Sequence, residues 1–142
     1  MKKLILIAAA MMLIFALSAC GSSDTGTDSG EVSIDYGKSD LYTQEDMDAA
    51  IELIRAEFDS WEGCELHSIS YAGDECNTDE NIAWMNELGD GSDFTQCIEF
   101  TSDFHSPVEG GGAWEADQEY TDWQWWLGRA EGGDWELMTW GY

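Results

Sequence analysis

A chain of 142 residues leaves room for one domain with a single modest core. Its 30 acidic residues against 5 basic ones give a formal charge of −25, which argues against nucleic acid as a partner and against binding anionic lipid through the domain surface. The sequence contains no C-x-x-C or H-E-x-x-H spacing, no nucleophile elbow, no phosphate loop and no calcium loop, so no metal and no cofactor is expected.

Met1-Lys2-Lys3 precede an unbroken apolar run of 14 residues, Leu4 to Leu17, too short to cross a bilayer comfortably and laid out like a secretory signal. The run closes on Leu17-Ser18-Ala19-Cys20, which resembles the lipobox of bacterial lipoproteins. That resemblance implies a signal peptide over 1–19, cleavage before Cys20, a lipid on the Cys20 thiol, and attachment to the outer face of a bacterial cytoplasmic membrane. Cleavage removes Lys2 and Lys3 but no acid, leaving 3 basic residues against 30 acidic ones, a charge of −27 (3 − 30). From Gly21 to Gly30 the residues are small and polar, so 20–39 is expected to be a disordered acidic linker, with a single α+β domain over 40–142.

Within that domain Thr43 is a good N-cap with acids behind it, and Met47, Ala50, Ile51, Ile54, Phe58 and Trp61 recur at helical spacing until Gly63. A strand follows over 64–72. A second, shorter helix opens at Thr78, carries Ile82, Met85 and Leu88, and stops at Gly89; the acids Asp74, Glu75, Asp79 and Glu80 at its approach raise the question of Ca²⁺. The strand over 94–104 places Phe94, Ile98, Phe100 and Phe104 on one face and Thr95, Cys97, Glu99, Thr101 and Asp103 on the other, which reads as one buried and one wet face. With Cys20 set aside, Cys64, Cys76 and Cys97 allow one disulfide or none, and Cys97 is the expected partner of either other thiol.

The chain closes on strands over 121–130 and 134–142, with five tryptophans in its last 22 residues. A two-residue turn at Gly132-Gly133 pairs Trp125 with Trp140, Leu127 with Met138 and Arg129 with Glu136 on a core face beneath the first helix. Truncation of Trp125 is then expected to cost far more stability than truncation of Trp126. The same register puts Trp126 and Trp135 together on the thinner face beside Gln124 and Thr139, a candidate surface for a glycan, a peptide or a second copy of the chain.

The order α-β-α-β-β-β, ending in Trp125-Trp126-Leu127-Gly128-Arg129 and Gly132-Gly133-Asp134-Trp135-Glu136-Leu137, resembles the nuclear transport factor and ketosteroid isomerase superfamily. These are cone-shaped domains in which a sheet wraps around helices to make a pocket. The resemblance spans Asp40 to Tyr142 and implies two helices packed on a curved, mainly antiparallel four-stranded sheet. Some members are isomerases or dehydratases that use an Asp or an Asp-His pair, and many only bind. Asp103 and His105, two apart at a strand end, are the acid-base candidates, since a carboxylate fixes the tautomer of a histidine. The leading expectation is a non-enzymatic, lipid-anchored module for a small ligand or a protein. The alternatives are an enzyme on the same fold and a structural envelope protein without a ligand.

Overall fold

A computed structural model describes residues 30–142. The apolar leader and Cys20 lie outside the described residues. Five strands and two helices follow: β1 (Ser33–Asp35), α1 (Gln44–Phe58), β2 (Glu65–Tyr71), α2 (Asp79–Leu88), β3 (Gln96–His105), β4 (Glu119–Arg129) and β5 (Glu136–Gly141), with a single 3-10 turn, Asp74–Cys76, between β2 and α2.

Both helices start as their sequences dictate. The Thr43 hydroxyl accepts from the Asp46 amide at 3.2 Å while the Asp46 carboxylate accepts from the Thr43 amide at 2.9 Å, a reciprocal cap that satisfies two otherwise orphaned donors. Thr78 caps α2 through the amide of Asn81 at 3.1 Å. The stripe Met47, Ala50, Ile51, Ile54 and Phe58 is buried as its spacing requires. Helical geometry ends at Phe58, before Trp61, so that residue reaches the core from a turn.

The sheet corrects the expected cone. Its strands lie in chain order, β1-β2-β3-β4-β5, with β1 parallel to β2 and every other pair antiparallel. The outer strands β1 and β5 do not pair with each other, so the sheet is mixed, five-stranded and open. The additional strand, Ser33–Asp35, falls in the stretch read from sequence as linker and is joined to β2 through α1, the kind of crossover a parallel pair needs.

The helices cover opposite faces, and this is what removes a cone-like interior. Under α1 lie Ile69, Ile98, Phe100, Phe104, Trp125 and Leu127. Under α2, Met85, Phe94, Cys97 and Trp126 form a second, smaller core. The Cys97–Glu99 end of β3, expected to be wet, is therefore buried beneath α2.

The closing hairpin departs from the expected register. Trp125 pairs with Trp140 and Trp126 with Thr139, but a bulge then shifts Leu127 onto Leu137 and Gly128 onto Glu136. The turn is not a two-residue loop between strands: Ala130 to Gly133 closes with a 2.9 Å backbone bond, and Gly132, at φ 71°, takes the positive-φ position of that turn. Gly128 is covered by the Phe94 ring; a Cβ there would come within 2.7 Å of it.

Candidate functional site

The register shift and the second helix together dismantle the Trp126–Trp135 surface. Trp126 is buried beneath α2, against Trp84 at 5.4 Å between ring centroids, with its indole N–H donating to Gln124 at 3.2 Å. Trp135 is buried on the other face, where its N–H donates to the Asp46 carbonyl at 2.9 Å and its ring lies 4.2 Å from the Arg129 guanidinium. Gln124 and Thr139 are half-buried and do not share a surface with Trp135.

An exposed aromatic surface lies elsewhere. Because α1 ends at Phe58, the far end of its face of the sheet is covered only by side chains that cover one another. Trp61 stacks on Trp125 at 5.2 Å and 21°, touches Trp114 at 4.9 Å, and approaches Trp140 at 6.3 Å. Trp123 meets Trp114 at 5.3 Å and Tyr142 at 5.0 Å, both edge-to-face. The outer members remain open to solvent, Trp140 at 40% and Tyr142 at 76% exposure. Two shallow depressions flank the turn after α1. One, of about 360 Å³, is lined by Val32, Arg55, Phe58, Trp61, Glu62 and Cys64, among others; the second, of about 450 Å³, by Ser60, Trp61, Glu62, Gly110, Gly111, Gly112 and Trp114. Glu62 borders both.

Asp103 and His105 do not form a pair. The Asp103 carboxylate accepts from the backbone amide of Asp122 at 3.0 Å, holding a bulge at which the β3–β4 register shifts and Asp122 takes φ 55°. The β2–β3 register shifts at the same level, between Leu66 and Ser68, and leaves His67 without a cross-strand partner. His105 is instead clamped between Glu119, 2.9 Å from Nδ1, and Asp117, 2.8 Å from Nε2. The other Glu119 oxygen lies 2.8 Å from Nδ1 of His67, so one carboxylate bridges two histidines. Sequence reasoning missed Asp117 and Glu119 and did not place His67 beside them, because adjacent bulges, which composition does not announce, bring them together.

Two carboxylates facing the two ring nitrogens favour the doubly protonated ring, since both nitrogens then donate. Hydrogen bonds to Asp117 first and Glu119 next accordingly raise the His105 pKa above its ordinary 6.5. Burial works to raise the Glu119 pKa, but the hydrogen bonds from His105 and His67 prevail and lower it. A raised histidine contributes stability that is complete below pH 6.5 and is lost as pH rises through the folded-state value. An NMR titration of the imidazole carbons is expected to give a His105 midpoint above 6.5 that falls in Asp117→Asn. A midpoint at or below the ordinary value contradicts the clamp.

Among the described residues no group of histidine, cysteine and acidic side chains is arranged to hold a metal ion. Asp74, from the acids weighed for calcium, is engaged structurally: it accepts from the Ser39 hydroxyl, the Asp40 amide at 2.7 Å and the Tyr71 hydroxyl at 2.6 Å, and these bonds lower its pKa. No helix among the described residues is long and apolar enough to cross a membrane.

No family model, curated protein or solved structure matches the chain. With an open sheet and helices on both faces, the resemblance to the nuclear transport factor and ketosteroid isomerase superfamily is overturned, and the isomerase-like roles it implied for Asp103 and His105 fall with it. The lipoprotein resemblance likewise finds no matching family, and the residues that carried it lie outside those described.

Proposed function

We propose that this chain is a non-enzymatic protein-interaction module, held at the outer face of a bacterial cytoplasmic membrane through lipid on Cys20, and that its partner is a peptide segment rich in lysine or arginine. The observation that carries the binding surface is the exposure of Trp140 and Tyr142 at the end of the aromatic cluster that α1 leaves uncovered. Charge argues for the partner's sign: the 27 excess negative charges of the cleaved chain (3 − 30) steer cations toward the surface. Carboxylates also border the rings, with Glu62 beside Trp61 in both depressions and Asp122 near Tyr142, whose pKa is raised first by burial and to a lesser degree by that carboxylate. A basic side chain laid across such rings packs its aliphatic stem on the aromatic faces and presents its cation both to the ring quadrupole and to the flanking acids. Each such contact is worth about 0.5–1 kcal/mol when exposed, so several must act together.

The extracytoplasmic setting rests on the basic start, the short apolar run and the small polar residues that follow Cys20. The binding claim is tested by calorimetric titration of the full chain with hexalysine, with a neutral hexasaccharide as the second probe. Hexalysine affinity is expected to fall about tenfold in the Trp140→Ala, Tyr142→Ala double variant, the loss of two such contacts. Unchanged affinity reduces the binding to general charge attraction and overturns the surface. Binding of the saccharide in place of the peptide replaces the partner by a glycan.

A further inference from the structure

Cys76 ends the 3-10 turn after β2, and Cys97 lies near the start of β3, yet the fold brings both under α2. The Cys97 thiol is fully buried and donates to the backbone carbonyl of Cys76 at 3.2 Å. The Cys76 thiol, half-buried, donates to Oε2 of Glu99 at 2.8 Å, and Glu99 is itself only 8% exposed. Cys97 and Glu99 are alternate residues of one strand, so their side chains rise from the same face roughly 7 Å apart. Two sulfurs and one buried carboxylate therefore share a single compartment. Cys64 takes no part, since it precedes β2 while Cys76 follows it, and that strand alone spans roughly 23 Å.

We propose that Cys76 and Cys97 are a redox-labile pair, closing to a disulfide when the Cys76 side chain rotates from Glu99 toward Cys97, with Glu99 setting how readily that disulfide is reduced. The oxidant is a disulfide, either a small molecule or a thiol–disulfide exchange protein. Cys76, the more accessible sulfur, attacks it as the thiolate, forms a mixed disulfide and releases one thiolate of the oxidant. Cys97 then attacks the Cys76 sulfur and releases the second. Two electrons pass from the protein sulfurs to the oxidant, and the two protons lost by Cys76 and Cys97 end on the two released thiols.

Glu99 opposes closure in two ways. Burial, and then the hydrogen bond to Glu99, push the Cys76 thiol up to about 12, while burial holds Cys97 at about 11, so thiolate is scarce and exchange is slow. Once the disulfide forms, Glu99 loses the thiol donor and is left buried without that partner, which favours the dithiol. A disulfide whose reduced form is stabilised in this way is the easily reduced kind.

The test equilibrates the full chain in glutathione buffers of graded redox ratio, quenches with acid, alkylates, and maps the peptides by mass spectrometry. A linked peptide containing Cys76 and Cys97 is expected, with Cys64 alkylated throughout. Glu99→Gln is expected to make the link harder to reduce, moving its midpoint by about threefold or more in glutathione ratio. Alkylation of both cysteines at every ratio, glutathione retained on Cys76, or a link through Cys64 overturns the pair on the unaltered chain alone. An unmoved or oppositely moved midpoint in folded Glu99→Gln overturns the role of the carboxylate.

Discussion

Alanine at Trp125 or at Trp126 is expected to cost about 3–5 kcal/mol of folding stability in either case, the range for truncating buried aromatics. These adjacent residues point to opposite faces of β4 and enter different cores. Trp125 has no exposed surface, stacks on Trp61 at 5.2 Å and donates its indole N–H to the Ser102 hydroxyl at 2.7 Å. Trp126, at 8% exposure, fills the space between Met85, Phe94 and Cys97. Alanine at Trp140, the cross-strand neighbour of Trp125, is expected to cost less, about 1–2 kcal/mol, because two-fifths of the residue stays open to water. Urea denaturation of the three variants measures the order. A Trp126→Ala loss as small as that of Trp140→Ala would show that α2 does not make a second core.

Removing the Arg129 side chain is expected to cost about 3 kcal/mol, at the lower end of the range for breaking a buried ion pair because Asp46 keeps some solvent. The guanidinium donates to Asp46 at 2.8 Å and to Gln96 at 2.7 Å, and lies over Trp135; it is 12% exposed and its carboxylate partner 28%. It thereby ties β4 to the first turn of α1. The hydrogen bond from Arg129 first, and the one from the Thr43 amide next, hold the Asp46 pKa below its ordinary 3.8. A depressed carboxylate contributes stability that is complete above the unfolded value and is lost as pH falls through the folded one. The chain should therefore weaken as pH drops below 3.8, and Arg129→Ala should weaken less steeply there. Parallel acid dependences in the two proteins would mean the pair contributes little. Arg129→Lys is expected to rescue only in part, since an ammonium cannot serve Asp46, Gln96 and the Trp135 face together.

The elements were legible where one periodicity ran long enough. The α1 stripe from Met47 to Phe58 and the Thr43 and Thr78 caps each follow from local physics, and the structure realises them. β1 was not legible because Ser-Ile-Asp is three residues of mixed character, and its pairing with Ser68 to Ser70 depends on α1 carrying the chain back. The second core was hidden because Cys97 and Glu99 look like a wet face until α2 is placed over them.

The faces of the hairpin were lost to one bulged residue. Up to Trp126 the expected pairs are present, and beyond it the shift sends Trp135 to the α1 core, while the early end of α1 leaves Trp140 exposed. Of the residues singled out from sequence for chemistry, Asp103 turns out to hold a backbone bulge and His105 to face acids from the β3–β4 connection and β4. Nothing local to either residue specifies those partners.

The aromatic end of the α1 face as the peptide-binding surface is tested most directly by following the tryptophan indole N–H resonances of the ¹⁵N-labelled full chain during titration with hexalysine. The account predicts shifts at Trp140 and at Trp123, the neighbour of Tyr142, with Trp126 and Trp135 unmoved because each is sealed in a core. Movement of Trp126 or Trp135 while Trp140 stays fixed, or no indole movement at saturation, would contradict it.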